Sequence, residues 1–195
     1  MKQLVSTHLL QKLRTRKKLF IAFFFAAACC IASSQSSRAQ SFEKGSNILN
    51  VGIGVGTTVY SSGYSSAFPP ISVSYEHGIA NGRWGIGGFL ARTGARYGDK
   101  DNYWKYSYTI VGVRGDYHFY TTDKLDTYGG VMLGYDIVSD KWHGEGEGEN
   151  FSASGSEASF SIFVGGRYYF SDHIGAFAEL GYGVAWLNLG LAFKL

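Results

Sequence analysis

The sequence predicts an all-β chain: an eight-stranded antiparallel transmembrane β-barrel after a cleaved signal peptide. Three observations carry this. Apolar residues alternate with small or polar ones in eight successive segments. The connections between segments are alternately short and long. A basic and then apolar stretch opens the chain.

The length of 195 residues allows one domain. The composition favours strands over helices: 27 glycines, 2 prolines, 16% aromatic and 17% charged residues.

Residues 1–39 read as a signal peptide. A basic region ends at Lys17 and Lys18, an apolar run covers 19–32, and a polar stretch leads to Ser37-Arg38-Ala39. Small residues at Ser37 and Ala39 place the cut after Ala39, which leaves 40–195 as one β-barrel domain. The apolar run is short for a transmembrane helix. Ala26-Ala27-Ala28-Cys29 resembles a lipoprotein signal only weakly, because the usual leading Leu is missing. Cys29 and Cys30 both lie in the leader, so the mature chain has no thiol for disulfide, metal or nucleophile chemistry. Seven of the 18 basic residues also lie there, leaving 11 against 15 acids, a net charge of −4. That balance gives no support to a nucleic-acid-binding surface.

The first expected strand puts Leu49, Val51, Ile53 and Val55 on one face, and Asn50, Gly52, Gly54 and Gly56 on the other. In the second, Ile71, Val73 and Tyr75 alternate with Ser72, Ser74 and Glu76. The third, 84–96, is less regular, with Ile86 and Leu90 on one face. In the fourth, 106–120, Val111, Val113, Tyr117 and Phe119 oppose Gly112, Arg114, Asp116 and His118, and an uneven phase before Ile110 predicts a bulge there. The fifth sets Val131, Leu133, Tyr135 and Ile137 against Gly130, Gly134 and Asp136. The sixth sets Phe160, Ile162, Val164, Tyr168 and Phe170 against Ser161, Gly165 and Arg167. The seventh sets Ile174, Ala176, Ala178, Leu180 and Tyr182 against Gly175, Phe177 and Glu179. The eighth sets Leu187, Leu189, Leu191, Phe193 and Leu195 against Asn188, Gly190, Ala192 and Lys194.

Long connections are expected at 60–70 and 139–157 and a further loop at 99–102. Short ones are expected at Asn81-Gly82 (a type I′ turn), 121–126 and 171–173. Short turns on one side and longer loops on the other are the pattern of outer-membrane barrels.

The chemistry of the two faces predicts an apolar outside and a polar inside. The non-apolar face is mostly Gly, Ser and Asn, with Glu76, Arg114, Asp116, Asp136, Arg167, Glu179 and Lys194 as isolated charges of both signs. Small residues leave room in a narrow lumen, and charges so confined require partners. Aromatic residues at the strand ends predict two girdles. Tyr75, Trp84, Phe119, Tyr128, Tyr168, Phe170 and Phe193 lie near the short turns; Tyr60, Tyr97, Tyr103, Trp104, Tyr106, Phe160, Tyr182 and Trp186 lie near the loops. Inward glycines such as Gly134 and Gly190 are expected to accept Ser.

The stretch GGRYYFSDHIGAFAELGYG at 165–183 resembles the penultimate hairpin of small outer-membrane β-barrel proteins, the OmpA/OmpX-type and porin-like families. The closing strand resembles the C-terminal signal read by the barrel insertion machinery, with Leu195 last and Phe193 two places earlier. The resemblance implies an outer-membrane location. It also implies outer-membrane lipid, lipopolysaccharide and that insertion machinery as partners, with no nucleic acid and an unspecified extracellular ligand.

No catalytic, cofactor-binding or metal-binding residues are assigned, and enzymatic activity is not expected. Ser139, Asp140 and His143 form a Ser/His/Asp set by type alone, with no nucleophile motif around them. The Gly-Glu alternation over 140–149 matches no EF-hand spacing and reads as a solvated acidic loop. Gly52, Gly54 and Gly56 lack the Lys-Ser/Thr of a phosphate loop. An eight-stranded barrel is just wide enough for its own side chains. The expected role is therefore structural or surface-interacting, with a narrow channel as the alternative.

Overall fold

The computed structural model describes residues 41–60, 63–99, 102–143 and 154–195. The expected leader, its cleavage site, both cysteines and residues 144–153 lie outside the described residues.

Eight strands follow in chain order: β1 Asn47–Val55, β2 Ser65–Ile79, β3 Trp84–Gly98, β4 Tyr103–Thr121, β5 Leu125–His143, β6 Ser154–Tyr169, β7 Ile174–Tyr182 and β8 Leu187–Lys194. Each pairs antiparallel with the next, and β1 pairs with β8, so the sheet closes into a barrel. Closure removes the sheet edges that an open apolar sheet would expose.

The alternation read from the sequence decides which way each residue faces. Neighbours differ sharply in exposure: Val113 62% against Arg114 3%, Leu133 64% against Met132 3%, and Ile162 54% against Ser161 8%. The exposed face is an apolar wall and the buried face is polar, the inverse of a soluble barrel. Such a wall is stable only where water is absent.

The strands differ greatly in length. β4 and β5 have 19 residues each, while β7 has 9 and β8 has 8. At about 3.3 Å per residue, that is roughly 63 Å against 26 Å. All eight strands share one short-turn end. The excess therefore rises on the loop side as a five-stranded sheet, β2 to β6, above the rim set by Val55, Tyr182 and Leu187.

Several sequence expectations change. The loop expected at 60–70 is shorter, because 65–70 belongs to β2, with register shifts between Ser66 and Phe68 and between Phe68 and Ile71. Pro69 and Pro70 lack N–H groups and sit on the stretch of β2 that has no β1 partner. The loop expected at 139–157 is flanked by strand: β5 continues to His143 and β6 starts at Ser154, with Ser139 opposite Ser154. No bulge precedes Ile110; the register of β4 is continuous there, and its shift falls between His118 and Tyr120. The short connection 121–126 tightens to 122–124, which brings Asp126 into β5. Asn81-Gly82 is not a two-residue type I′ turn. The connection is four residues long, and the positive φ angles are at Ala80 (51°) and Gly82 (73°).

Inward glycines are also less tolerant than their small size implied. A Cβ on Gly190 would lie 2.0 Å from the Val51 carbonyl oxygen, and one on Gly134 would lie 2.7 Å from that of Val111. Outward Gly115 has open space around it. Gly190→Ala is therefore expected to destabilise the barrel clearly, and Gly115→Ala to be near neutral, in reversible unfolding from lipid vesicles. In the same assay Val131→Arg or Leu189→Arg should cost about 2–4 kcal/mol near the bilayer midplane. Equal tolerance of Arg at outward Val131 and inward Met132 would refute the assigned faces.

Candidate functional site: the charged layer in the lumen

Five strands deliver charged side chains to one level of the lumen near the short-turn end. β2 supplies Glu76; β4 supplies Arg114, Asp116 and His118; β5 supplies Asp126; β6 supplies Arg167; β7 supplies Glu179. All are buried. Dyad alternation explains the set: 114, 116 and 118 share a face of β4, and the cross-strand register brings the others beside them.

Arg167 is the centre of the lower group. Its Nη1 donates to Asp126 Oδ2 at 2.8 Å, its Nε to Asn50 Oδ1 at 3.3 Å, and its Nη2 to Glu76 Oε2. His118 bridges the same two acids, with Nδ1 2.6 Å from Asp126 Oδ1 and Nε2 2.7 Å from Glu76 Oε1. Each ring nitrogen thus faces a carboxyl oxygen, and between two ionised carboxylates both nitrogens would donate. Arg114 organises the upper group: Nη2 donates to Glu179 Oε1 at 2.8 Å and to Asp116 Oδ1 at 3.0 Å. The Tyr128 hydroxyl donates to the same Glu179 oxygen at 2.9 Å, and Asn50 Nδ2 donates to Ser74 Oγ at 3.1 Å. Each guanidinium also lies over an aromatic face: Arg167 is 4.1 Å from the Tyr128 centroid and Arg114 is 4.2 Å from that of Phe163.

The segment before β1 caps this layer. Phe42 is fully buried and stacks on His118, with centroids 3.5 Å apart and planes at 7°. The Ser41 N–H donates to Thr122 O at 2.8 Å, and Ser41 Oγ donates to Leu125 O at 3.0 Å. Gly78 and Ser46 hold the other side, with the Gly78 N–H donating to Ser46 O at 2.8 Å. A Cβ at Gly78 would meet Glu43 O at 2.2 Å, so only glycine admits the cap. The same cap lies against Gly82, where a Cβ would meet Lys44 N at 3.0 Å. On the loop side of the layer a cavity of about 40 Å³, lined by Ser72, Arg114, Glu179 and Asn188 among others, has room for a few waters only.

Of the charges expected inside, Glu76, Arg114, Asp116, Arg167 and Glu179 come together, while Asp136 stands apart nearer the loops. Asp126, Phe42 and Tyr128 were not expected there. Tyr128 belongs to no girdle; it is fully buried in the layer. Its even position in β5, shared with Met132, was the available signal. Tyr106 likewise stands in the inward phase of β4, with its ring 5.5 Å from that of Tyr64. Trp104 pairs in register with Trp142 in that phase too, and their rings are 5.3 Å apart. Trp84, Tyr168, Phe170, Phe160, Tyr182 and Trp186 are exposed on the wall as expected. Ser139 and Asp140 are consecutive in β5 and so point to opposite faces, which dissolves the Ser/His/Asp set. Gly52 and Gly54 are inward positions of β1; a Cβ on Gly52 would meet Asn188 Oδ1 at 2.7 Å. Among the described residues no group of His, Cys, Asp and Glu could hold a metal ion.

No family model and no curated protein matches the chain. Solved structures do. Ail, the attachment invasion locus protein of Yersinia pestis, aligns at 18% identity and a TM-score of 0.50, over 77% of this chain and 98% of that one. Neisserial surface protein A aligns at 12% identity and a TM-score of 0.51, over 81% and 100%. The chain has the fold of the small eight-stranded outer-membrane β-barrels of the OmpA/OmpX type.

Removing one member of the layer leaves an uncompensated buried charge. Arg167→Met should therefore lower unfolding stability by about 3–5 kcal/mol. Adding Glu76→Gln should recover part of that loss in a double-mutant cycle. Strict additivity of the two would show that the pair does not interact.

Proposed function

We propose that this chain is an integral outer-membrane β-barrel protein with a structural or surface-interaction role, and neither a channel nor an enzyme. The observation that carries this reading is the closed layer of Arg167, Glu76, Asp126 and His118 beneath Phe42. Every charge in it is buried and paired, so an ion crossing the lumen would have to break several charge-assisted hydrogen bonds at once. His118, beside two carboxylates, is the nearest approach to catalytic chemistry among the described residues, and it is sealed from any substrate.

The apolar wall supports location in a membrane, and the fold supports the outer membrane. The short turns and the cap would face the periplasm, and the five-stranded rise would stand outside the cell. Leu187 to Lys194, paired along its length with β1, would be the strand that the insertion machinery closes.

The rise offers a surface for partners. Its two edges differ. The β2 edge carries Pro69 and Pro70, which cannot donate to an added strand, and is broken by register shifts. The β6 edge from Ser154 to Ser161 continues beyond the last β7 pair, Ile162 with Tyr182, and has no proline. An extended segment of another protein could add to it.

Two measurements test the reading. The purified protein in a planar bilayer should give no discrete conductance steps, and regular steps from the wild type would establish the channel instead. An epitope inserted near Gly146, in the connection between β5 and β6, should be labelled on intact cells. Labelling only after permeabilisation of the outer membrane would show the opposite orientation.

A further inference from the structure

The rise separates charge by face. The register lines up Arg96, Lys105 and Lys141 directly across β3, β4 and β5. All three stand in the phase of Leu90, Val111 and Tyr135, the outward, lipid-facing phase of the wall. Arg92, two rows nearer the wall, is exposed in the same phase. The acids of these strands take the other face: Asp140 lies opposite Tyr106, and Asp136 lies opposite Glu157 and Ile110, in the phase that faces inward below. Among the described residues none of the four cations has an ion-pair partner; Arg96 rests over the Tyr103 ring, 5.2 Å from its centroid. Like charges directly opposite one another repel, so the fold gains nothing from this row by itself.

Height explains what the row can meet. At about 3.3 Å per residue and a tilt near 40°, Arg96 lies roughly 30 Å above Trp84 along the membrane normal. Lys105 lies roughly 35 Å above Phe119 on the same geometry. The lipid-facing band of such barrels is about 25 Å tall. The row therefore stands just beyond the hydrocarbon, at the level of the outer-leaflet headgroups, and Arg92 stands near the boundary with a side chain long enough to reach up.

We infer that Arg96, Lys105 and Lys141, with Arg92 below them, form a binding site for the phosphate groups of outer-leaflet lipid. The inference rests on the membrane reading above. Three facts support it: the row carries unpaired positive charge, it continues the lipid-facing wall without a break, and no acid shares its face on β3, β4 or β5. Arg and Lys in such a row offer donors to several phosphate oxygens at once.

The test uses the purified mature barrel in neutral detergent, incubated either with bisphosphorylated lipid A or with the same lipid A stripped of phosphate; retained lipid is measured by mass spectrometry. The wild type should retain the phosphorylated form strongly over the stripped one. Each cation near an anionic lipid surface contributes roughly fivefold in partition. R96Q/K105Q/K141Q should thus lose roughly a hundredfold of that preference, and each single variant about fivefold. D140N, on the opposite face, should keep the preference. Because the three side chains are on the surface, folding is checked by heat-modifiable migration; should the triple variant fail that check, the single variants decide. Equal retention of both lipids by the wild type, or unchanged preference in the variants, would overturn the site. Displacement of lipid A by millimolar inorganic phosphate would assign the row to free phosphate and overturn the lipid assignment. Failure of the wild type to migrate heat-modifiably or to insert into vesicles would instead count against the membrane reading.

Discussion

The buried ion network around Arg167 and Arg114 is the constraint on which the rest of this barrel depends. An eight-stranded wall leaves a lumen that side chains must fill. Here the filling is ionic: Arg114, Arg167 and the His118 imidazole against four carboxyl groups, Glu76, Asp116, Asp126 and Glu179. Charges taken out of water cost several kcal/mol each unless geometry is good and remaining donors are satisfied. The network meets that condition by drawing on five strands, with Asn50 and Ser74 completing it from β1 and β2. A register slip of one residue in any of those strands would turn its members outward into the apolar wall. The same contacts that plug the barrel therefore also select its strand pairing.

The plug separates two functional halves of the molecule. Below it, the Phe42 cap and the short turns finish a closed end. Above it, the closed wall runs on to the rim at Val55, Tyr182 and Leu187, and beyond that rim it continues on one side only, because β2 to β6 outrun β7, β8 and β1. With the lumen filled by this layer, the proposed surface role falls to that one-sided rise. Its faces differ in kind: cations on the outward face, acids and aromatic rings toward the concave side, and an open β6 edge between them. Under the reading proposed above, the cationic face would meet the membrane surface, and the other face and the edge would be left for partners.

Much of this was legible in the chain. Strand number, the facing of nearly every wall residue and the apolar exterior follow from a period of two, because a strand has no other way to place successive side chains. The charged residues on the polar face were recognisable for the same reason. Tyr128 and Tyr106 were misread as girdle residues because aromatic identity was weighed above parity; each lies at an inward position of its own strand. The extra length of β5 and β6 was hidden because the polar stretches 139–143 and 154–157 read as loop, although the hairpin ladder continues to Ser139 and Ser154.

The sequence by itself determined the barrel, its inside-out polarity and the identity of most charges inside it, since all three are consequences of local alternation. Tertiary structure alone decided which charges meet. Asp126 joins Arg167 and His118 only because β4, β5 and β6 pair in one register, and Phe42 seats on His118 only because Gly78 and Gly82 let the preceding chain pass close. It also decided that Arg96, Lys105 and Lys141, far apart in the chain, stand in one row. Alternation fixes the face a side chain takes, but the partner it meets there depends on closure of the sheet, a long-range condition that no local pattern encodes.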